Sequence, residues 1–286
     1  MTLASTRTLI DDAYRNGTGI GAFNVVSLET AEGLVSAGER AGLPVILQIS
    51  ENCARYHGAL EPIAAATLAL AAAASTPVSV HLDHAEDESL ALRAIDLGFS
   101  SVMYDGAKLD YADNVAATQR VVNAAHSAGV YVEAELGKVG GKDGAHAPGV
   151  RTDPDEAVSF VADTGVDALA VAVGSSHAMT DRVASVDLDL IASLRSVLAV
   201  PLVLHGSSGV ADAHIAAAIR SGMTKINVST HLNGHYTRAA RAVLDADQGI
   251  VDPRKYLAPA REALSLEAAR LLTLFALVQE AAHESR

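Results

Sequence analysis

Apolar residues along this chain fall into short continuous runs rich in Val and Ile, separated by longer segments with helical periodicity. Continuous rather than alternating apolar runs are typical of parallel strands that are buried on both faces. Eight such runs recur, at residues 19–26, 44–50, 77–83, 100–105, 130–136, 168–173, 201–205 and 225–230. The helical segments between them include 30–41, 60–74, 89–97, 112–127, 155–163 and 213–221. The pattern therefore predicts strands that alternate with helices.

The spacing of the predicted strands favours an α/β fold of the (β/α)8 TIM-barrel type. Successive strands begin about 23 to 38 residues apart, which suits one strand and one helix per repeat. A doubly wound open sheet is the competing arrangement, but no Gly-x-Gly-x-x-Gly motif follows the first strand. We expect residues 1–286 to form a single barrel domain with a C-terminal helical extension over roughly residues 236–286. Such an extension often serves a subunit contact, so a homodimer or homotetramer is expected.

Composition narrows the partners of the chain. The formal net charge is -13, only 4% of residues are aromatic, and Trp is absent. An acidic surface with few aromatic side chains argues against nucleic-acid binding, and any bound phosphate must be held by local groups. The most apolar helical segment, 60–74, is rich in Ala and too short to span a membrane. A single cysteine and an N-terminus without a signal-peptide pattern predict a cytoplasmic protein.

Three histidines lie just past the ends of three predicted strands: His84, His177 and His205. The carboxyl ends of barrel strands meet at one mouth, so the three imidazoles are expected to converge there. Three neutral nitrogens with an open fourth position make a catalytic zinc site. Asp83 directly precedes the first histidine. It is either a carboxylate that anchors an imidazole or a general base next to the metal.

Other polar residues at the same strand ends leave alternatives open. Asp105 and Glu135 end strands four and five, and either bind a second or displaced metal ion or form ordinary salt bridges at the barrel rim. His81 shares a strand face with Asp83, where it either supports a metal ligand or packs in the core. Asn24 and Ser50 end the first two strands.

Two small-residue segments follow strands seven and eight, where many barrels hold phosphate with backbone N–H groups and a helix N-terminus. Small residues let the backbone approach the ligand, and hydroxyl groups add donors. Together the two segments predict a phosphate site next to the metal. Their residues are Gly206, Ser207 and Ser208, and then Asn227, Val228, Ser229 and Thr230.

The lysines argue against imine chemistry. An enzyme that forms an imine with its substrate needs a desolvated lysine inside the barrel mouth. None of the lysines lies within strand six, and Lys225 is expected to begin strand eight, at the opposite end of the barrel. A metal is therefore expected to do what an imine would otherwise do.

Several longer runs of the chain together resemble the class II, zinc-dependent ketose-bisphosphate aldolases, which include the fructose and tagatose 1,6-bisphosphate enzymes. The resemblance extends from about Gly21 to the segment that ends at Tyr256. The runs that carry it are Ala22-Phe23-Asn24-Val25, His81-Leu82-Asp83-His84, Val132-Glu133-Ala134-Glu135-Leu136-Gly137-Lys138-Val139-Gly140-Gly141, Leu204-His205-Gly206-Ser207-Ser208-Gly209 and Lys225-Ile226-Asn227-Val228.

This resemblance implies reversible aldol cleavage of a phosphorylated ketose to dihydroxyacetone phosphate and an aldehyde. It implies that His84, His177 and His205 bind zinc and that Asp83 takes the proton of the C4 hydroxyl. Asp105 and Glu135 match alternative metal ligands of the family, and Asn24 and Ser50 match positions that contact the reacting substrate. Residues 206–208 and 227–230 match the segments that hold dihydroxyacetone phosphate.

The chain departs from the family pattern around the metal. Ala178 stands where the family has Gly, at a position where the backbone approaches the phosphate or a monovalent cation, and Ala107 stands where it has Ser. Asp143 is the one candidate for the loop carboxylate that exchanges the C3 proton. No arginine for a second phosphate is identified. Two alternatives therefore stay open: a zinc aldolase for another phosphorylated sugar or deoxy-sugar acid, and a non-catalytic barrel subunit.

Overall fold

The computed structural model describes residues 3–136, 151–175, 182 and 184–278. Its strands form one closed barrel, in which each strand runs parallel to the next and the last pairs with the first. The predicted (β/α)8 barrel is confirmed. The strands are β1 (Ile20–Asn24), β2 (Val45–Ser50), β3 (Val78–Ala85), β4 (Ser101–Tyr104), β5 (Tyr131–Leu136), β6 (Ala168–Val171), β7 (Leu202–Leu204) and β8 (Met223–Val228).

Helices lie between the strands and at both ends of the chain. None of those that the structure describes is both long and apolar enough to cross a bilayer. The helices are α1 (Thr6–Asn16), α2 (Leu28–Ala41), α3 (Glu51–His57), α4 (Glu61–Ala73), α5 (Glu88–Asp96), α6 (Tyr111–Ser127), α7 (Pro154–Thr164), α8 (Leu188–Val197), α9 (Asp212–Ser221), α10 (Thr230–Ala246) and α11 (Arg254–Phe275), with a 3₁₀ turn at Ser207–Gly209.

Helix α1 closes the N-terminal end of the barrel. Its apolar residues Leu9 and Ile10 are buried with Ile20, Ile46 and Met103 from the inward faces of the strands. These side chains fill the lower part of the barrel, as expected of a packed core rather than a pore. Ligands therefore reach the barrel interior from its C-terminal end.

Strand β8 corrects the expected position of Lys225. The strand begins at Met223, directly after Gly222 ends α9, and Lys225 is its third residue. The side chain of Lys225 has no exposed surface, so it lies inside the barrel rather than at the opposite end. The last predicted strand residue, Thr230, instead begins α10. Polar Thr224 hid the true start of the strand because it interrupts the apolar run.

The C-terminal extension consists of two helices that begin earlier than expected, at Thr230 rather than near residue 236. Helix α11 packs on the barrel of its own chain: Leu264 fits against Gly33 of α2, where a Cβ would lie 3.0 Å from its Cδ2 atom. At the end of α11, the carbonyl oxygen of Phe275 accepts a hydrogen bond from the Gly19 N–H at 2.8 Å. One face of the extension thus completes the helical layer outside β1.

Shortening Leu264 tests this packing. The side chain is 1% exposed, whereas that of Leu266 on the same helix is 54% exposed. Leu264→Ala should lower the free energy of unfolding by about 2–5 kcal/mol because it leaves a cavity between α2 and α11. Leu266→Ala should change it by less than about 0.5 kcal/mol. Urea unfolding followed by circular dichroism measures both, and equal losses would contradict the packing described.

Candidate active site

A cavity opens at the C-terminal mouth of the barrel, where the predicted site residues were expected to meet. Its lining comes from the ends of strands on both sides of the β1–β8 seam and from the segments that follow β7 and β8. The lining residues are Asn24, Gln48, Ser50, Asp83, His84, His205, Gly206, Ser208, Asn227, Ser229 and Thr230.

A β-bulge in β3 directs Asp83 and His84 into the same cavity. Leu82 pairs with Val102, and Ala85 pairs with Tyr104. Between these two pairs β3 has two residues and β4 has one, so β3 carries one extra residue. Neighbouring residues of a regular strand point to opposite faces, and a bulge removes that alternation. His84 has a φ of 49°, in the left-handed region that non-glycine residues rarely adopt. Such strain is typical of functional positions.

His84 and His205 face each other across the cavity. The Nε2 atom of His84 lies 2.8 Å from Nδ1 of His205, and the two rings are nearly perpendicular. The opposite nitrogen of each ring contacts a carboxylate: His84 Nδ1 lies 2.7 Å from Asp105 Oδ2, and His205 Nε2 lies 2.9 Å from Glu133 Oε1. A carboxylate acceptor favours the proton on the nitrogen next to it. The facing nitrogens then carry lone pairs aimed at one point, which fits a metal cation.

Asp105 and Glu135 are buried around His84 rather than exposed at the rim. The Oε2 atom of Glu135 lies 3.8 Å from His84 Nδ1, on the side of the ring away from His205. Ligand atoms of these three residues lie within 4.8 Å of one another. The two carboxylates are therefore placed to orient the ring of His84, and their role as ligands of a second or displaced ion stays a prediction. Next to them, the Ala107 N–H donates to Asp105 Oδ1 at 3.3 Å.

The carboxylate of Asp83 is held by amides from two strands. Asn24 Nδ2 donates to Asp83 Oδ2 at 2.9 Å, and Gln48 Nε2 in turn donates to Asn24 Oδ1 at 2.8 Å. Asn227 Nδ2 lies 3.4 Å from the other carboxylate oxygen. Because the donors come from both sides, the carboxylate has a fixed direction next to the paired histidines.

Opposing influences act on the pKa of Asp83. Burial raises this pKa, while electrostatic interactions with His84, His205 and Lys225 lower it. With the hydrogen bond from Asn24, the lowering influences outweigh burial, and the pKa lies below its ordinary value. Asp83 is therefore an ionised carboxylate at neutral pH, as a general base must be.

A buried polar layer lies beneath the mouth, on the inward faces of β3, β4, β5 and β8. Glu133 contacts His205 through one oxygen and forms an ion pair with Lys225 at 2.8 Å through the other. Ser101 Oγ lies 2.8 Å from His81 Nδ1. Burial, reinforced by the charge of Lys225, lowers the pKa of His81 well below its ordinary value. His81 is therefore neutral, and it lies 3.8 Å from Glu133 rather than in the mouth.

The segments expected to hold phosphate border the same cavity. Gly206 directly precedes the 3₁₀ turn at Ser207–Gly209 and has a φ of 67°. The hydroxyl of Ser207 donates to the carbonyl oxygen of Asn227, and this bond joins the two segments. Helix α10 begins at Thr230, so its first N–H groups lie at the cavity, as an anion site requires. The side chain of Val228 is buried in the apolar core that surrounds the barrel, so Val228 offers only its backbone to a ligand.

Three predicted site residues, Asp143, His177 and Ala178, lie outside the described residues. The described chain after β6 reaches Ser175, whose hydroxyl donates to the carbonyl oxygen of His205 at 2.6 Å. The last described residue before His177 therefore lies next to His205. No role was predicted for Gln48 or Glu133, and Lys225 was expected at the opposite end of the barrel. The sequence feature that could have identified them is their spacing. Gln48, Glu133 and Lys225 each lie two residues before a predicted site residue (Ser50, Glu135 and Asn227), and two residues at that spacing share one strand face.

Comparisons with known proteins agree with this geometry. The family model for class II fructose-bisphosphate aldolases matches residues 4–279. A fructose-bisphosphate aldolase of Staphylococcus aureus is 40% identical over 92% of this chain and 94% of its own, and one of Geobacillus stearothermophilus is 38% identical over 92% and 93%. Among solved structures, the YdjI aldolase of Escherichia coli K12 superposes with a TM-score of 0.81 at 31% identity, covering 96% of this chain and 97% of its own.

Removing the charge of Asp105 tests the orientation of His84. Asp105→Asn should weaken zinc binding by about 10- to 100-fold, because a neutral amide holds the imidazole N–H less firmly than a carboxylate does. Asp110→Asn, at an exposed position nearby, is the matched control and should leave the affinity unchanged. Competition with a chromogenic chelator measures both. An unchanged zinc affinity in Asp105→Asn would show that this carboxylate does not support the metal ligand.

Proposed function

Because the chain belongs to the class II fructose-bisphosphate aldolase family, we propose that it reversibly cleaves a 1,6-bisphosphate of the fructose or tagatose type. The products are dihydroxyacetone phosphate and an aldehyde such as glyceraldehyde 3-phosphate. The family makes the chain a carbon–carbon lyase that acts on a ketose bisphosphate. The observation that carries the proposal is the pair of facing nitrogens of His84 and His205 next to the Asp83 carboxylate.

Zinc is the proposed cofactor. His84, His205 and His177 would hold it, and the first two present imidazole nitrogens to one point in the mouth. Neutral imidazoles suit zinc better than they suit Mg²⁺ or Ca²⁺, which prefer oxygen ligands. Bound there, zinc would supply Lewis-acid polarisation of the substrate carbonyl. Asp105 and Glu135 are proposed as ligands of a second or displaced ion, and Ala178 as a backbone contact to the phosphate or a monovalent cation.

Asp83 is the proposed base for cleavage. Its carboxylate takes the proton of the C4 hydroxyl, the C4 oxygen becomes the aldehyde carbonyl, and the electrons of the C3–C4 bond remain on the dihydroxyacetone phosphate half. Asp143 is the proposed donor of the proton that C3 then takes up. In condensation, Asp83 returns its proton to the new hydroxyl group. Amides of Asn24 and Asn227 keep the carboxylate directed into the cavity throughout.

The phosphate of dihydroxyacetone phosphate is proposed to lie between the two segments that follow β7 and β8. Gly206 and Ser208 would contribute N–H and hydroxyl groups, and Ser229 and Thr230 would contribute the start of α10. Ser50 borders the cavity from the other side and is placed to contact the sugar hydroxyls. We also propose a homodimer or homotetramer and a cytoplasmic location; the single cysteine, Cys53, is buried, which is compatible with a reducing compartment.

A second candidate function keeps the metal and one phosphate but changes the other end of the substrate. None of the described residues that line the cavity is Lys or Arg. This favours an aldolase for a monophosphorylated sugar or a deoxy-sugar acid as the alternative to the bisphosphate enzyme. A non-catalytic barrel does not explain why the paired histidines and Asp83 are held so specifically.

A cleavage assay separates these functions. Fructose, tagatose and sorbose 1,6-bisphosphates are compared with the corresponding monophosphates, with and without added zinc. We expect bisphosphates to have the higher kcat/KM, EDTA to abolish cleavage, and borohydride with substrate to leave the protein unmodified. Borohydride trapping of a lysine would refute the metal mechanism, and faster turnover of monophosphates would favour the second candidate.

Replacing Asp83 tests the base separately from the metal. Asp83→Asn should retain zinc, because the facing histidine nitrogens remain, while kcat should fall by about 10²- to 10⁴-fold. Asp96→Asn, at an exposed position at the end of α5, is the control and should behave as the unaltered protein. Steady-state cleavage and metal analysis are measured together. Near-normal turnover in Asp83→Asn would remove the proposed role of this carboxylate.

A further inference from the structure

Lys225 is a lysine inside the barrel to which the proposed reaction assigns no role. Its side chain has no exposed surface, and it does not line the cavity at the mouth. The Nζ atom lies 2.8 Å from Glu133 Oε2 and 2.8 Å from Asn227 Oδ1. Burying an ammonium group is costly even when it is paired, and an apolar side chain of similar length would avoid that cost. The charge at this position therefore requires an explanation other than packing.

One contact of Lys225 determines the orientation of the Asn227 amide. An ammonium group only donates hydrogen bonds, so Asn227 must turn its oxygen toward Lys225. Its Nδ2 group then points the other way and lies 3.4 Å from Oδ1 of Asp83. If the amide were reversed, its oxygen would face the Asp83 carboxylate and repel it. Lys225 thus acts on the proposed base through Asn227.

The other contact of Lys225 acts on the metal ligand. The Glu133 carboxylate lies between Lys225 and His205, with Oε2 on the ammonium and Oε1 on Nε2 of His205. The ion pair fixes where the carboxylate lies, and the carboxylate fixes the rotation of the imidazole. Nδ1 of His205 consequently faces Nε2 of His84. Groups that orient a metal ligand in this way influence metal affinity strongly.

We propose that Lys225 is a positioning residue for the aldol reaction, which orients His205 through Glu133 and Asp83 through Asn227. The inference rests on the proposed function of the site. One buried ammonium group thereby couples the metal half of the site to the base half. Lys225 does not form an imine in this arrangement, because its ammonium group is held by Glu133 and lacks the lone pair that attack on a carbonyl requires.

Two variants separate the effect of Lys225 on His205 from its effect on Asp83. Lys225→Met keeps the length of the side chain and removes its charge, which leaves the Glu133 carboxylate buried without its cation. The double variant Lys225→Met/Glu133→Gln removes both charges, while the Gln oxygen still accepts from His205. Lys108→Met, which removes a half-exposed lysine paired with Glu86, is the control. Circular dichroism establishes that each variant folds, chelator competition gives the zinc affinity, and cleavage at saturating zinc gives kcat and KM.

In Lys225→Met, zinc affinity should fall by about 10- to 100-fold. At saturating zinc, kcat should also fall by about 10- to 100-fold, with KM changed less than about threefold, since the loss concerns the reacting geometry rather than substrate binding. The double variant should recover most of the zinc affinity but not kcat, because Asn227 still lacks its anchor. The double variant carries no unpaired buried charge. If Lys225→Met does not fold, the double variant still tests the effect of Lys225 on kcat through Asn227.

Unaltered zinc affinity and kcat in Lys225→Met, together with an active parent protein, would overturn this inference and leave the proposed function intact. Recovery of kcat in the double variant would show that Lys225 does not act on Asp83 through Asn227. A parent protein that neither binds zinc nor cleaves the substrates would overturn the proposed function and this inference together. Borohydride trapping at Lys225 would replace the positioning role with a covalent one and is checked by mass spectrometry of the parent protein.

Discussion

The buried carboxylate of Glu133 is the group on which the centre of this barrel depends. It has no exposed surface, so neither of its oxygens is solvated, and an unpaired carboxylate there would cost several kcal/mol. Lys225 and His205 contact one oxygen each. The same contacts that make the charge tolerable direct the other nitrogen of His205 toward His84. In this layer, the contacts that compensate the charge of Glu133 also orient His205, a proposed metal ligand.

The barrel determines where the strand ends lie, and a local irregularity determines where two side chains point. A regular β3 would send Asp83 and His84 to opposite faces, with one of them in the helical layer. The extra residue between Leu82 and Ala85 brings both to the mouth. Pairing between β3 and β4 resumes directly after His84, where the Asp105 N–H donates to the carbonyl oxygen of Ala85 at 2.8 Å. This bond holds His84 in its strained backbone conformation. Asp105 thus fixes the bulge through its backbone and His84 through its side chain.

The barrel and the order of its strands could be predicted because parallel strands buried on both faces leave continuous apolar runs. The mouth residues could be predicted because they follow those runs. Lys225, Glu133 and Gln48 were harder, since they are polar residues within buried strands and are satisfied by partners on other strands. Neither those pairings nor the bulge is visible in one strand taken alone, because both depend on register. The packing of α11 on α2 likewise depends on a gap at Gly33 that only the folded chain defines.

Charge explains how an acidic protein can hold an anionic substrate. The net charge of -13 repels a phosphorylated sugar from most of the surface, and the described lining of the cavity contributes no Lys or Arg. Among the described residues, attraction comes from the start of α10, equivalent to about half a positive charge, and the proposed cation at His84 and His205 would add to it. A metal and a phosphate that lie close together in a cavity of low dielectric strengthen each other's binding, and this coupling is reciprocal. The proposed site therefore selects its anionic substrate most strongly when it already contains its metal.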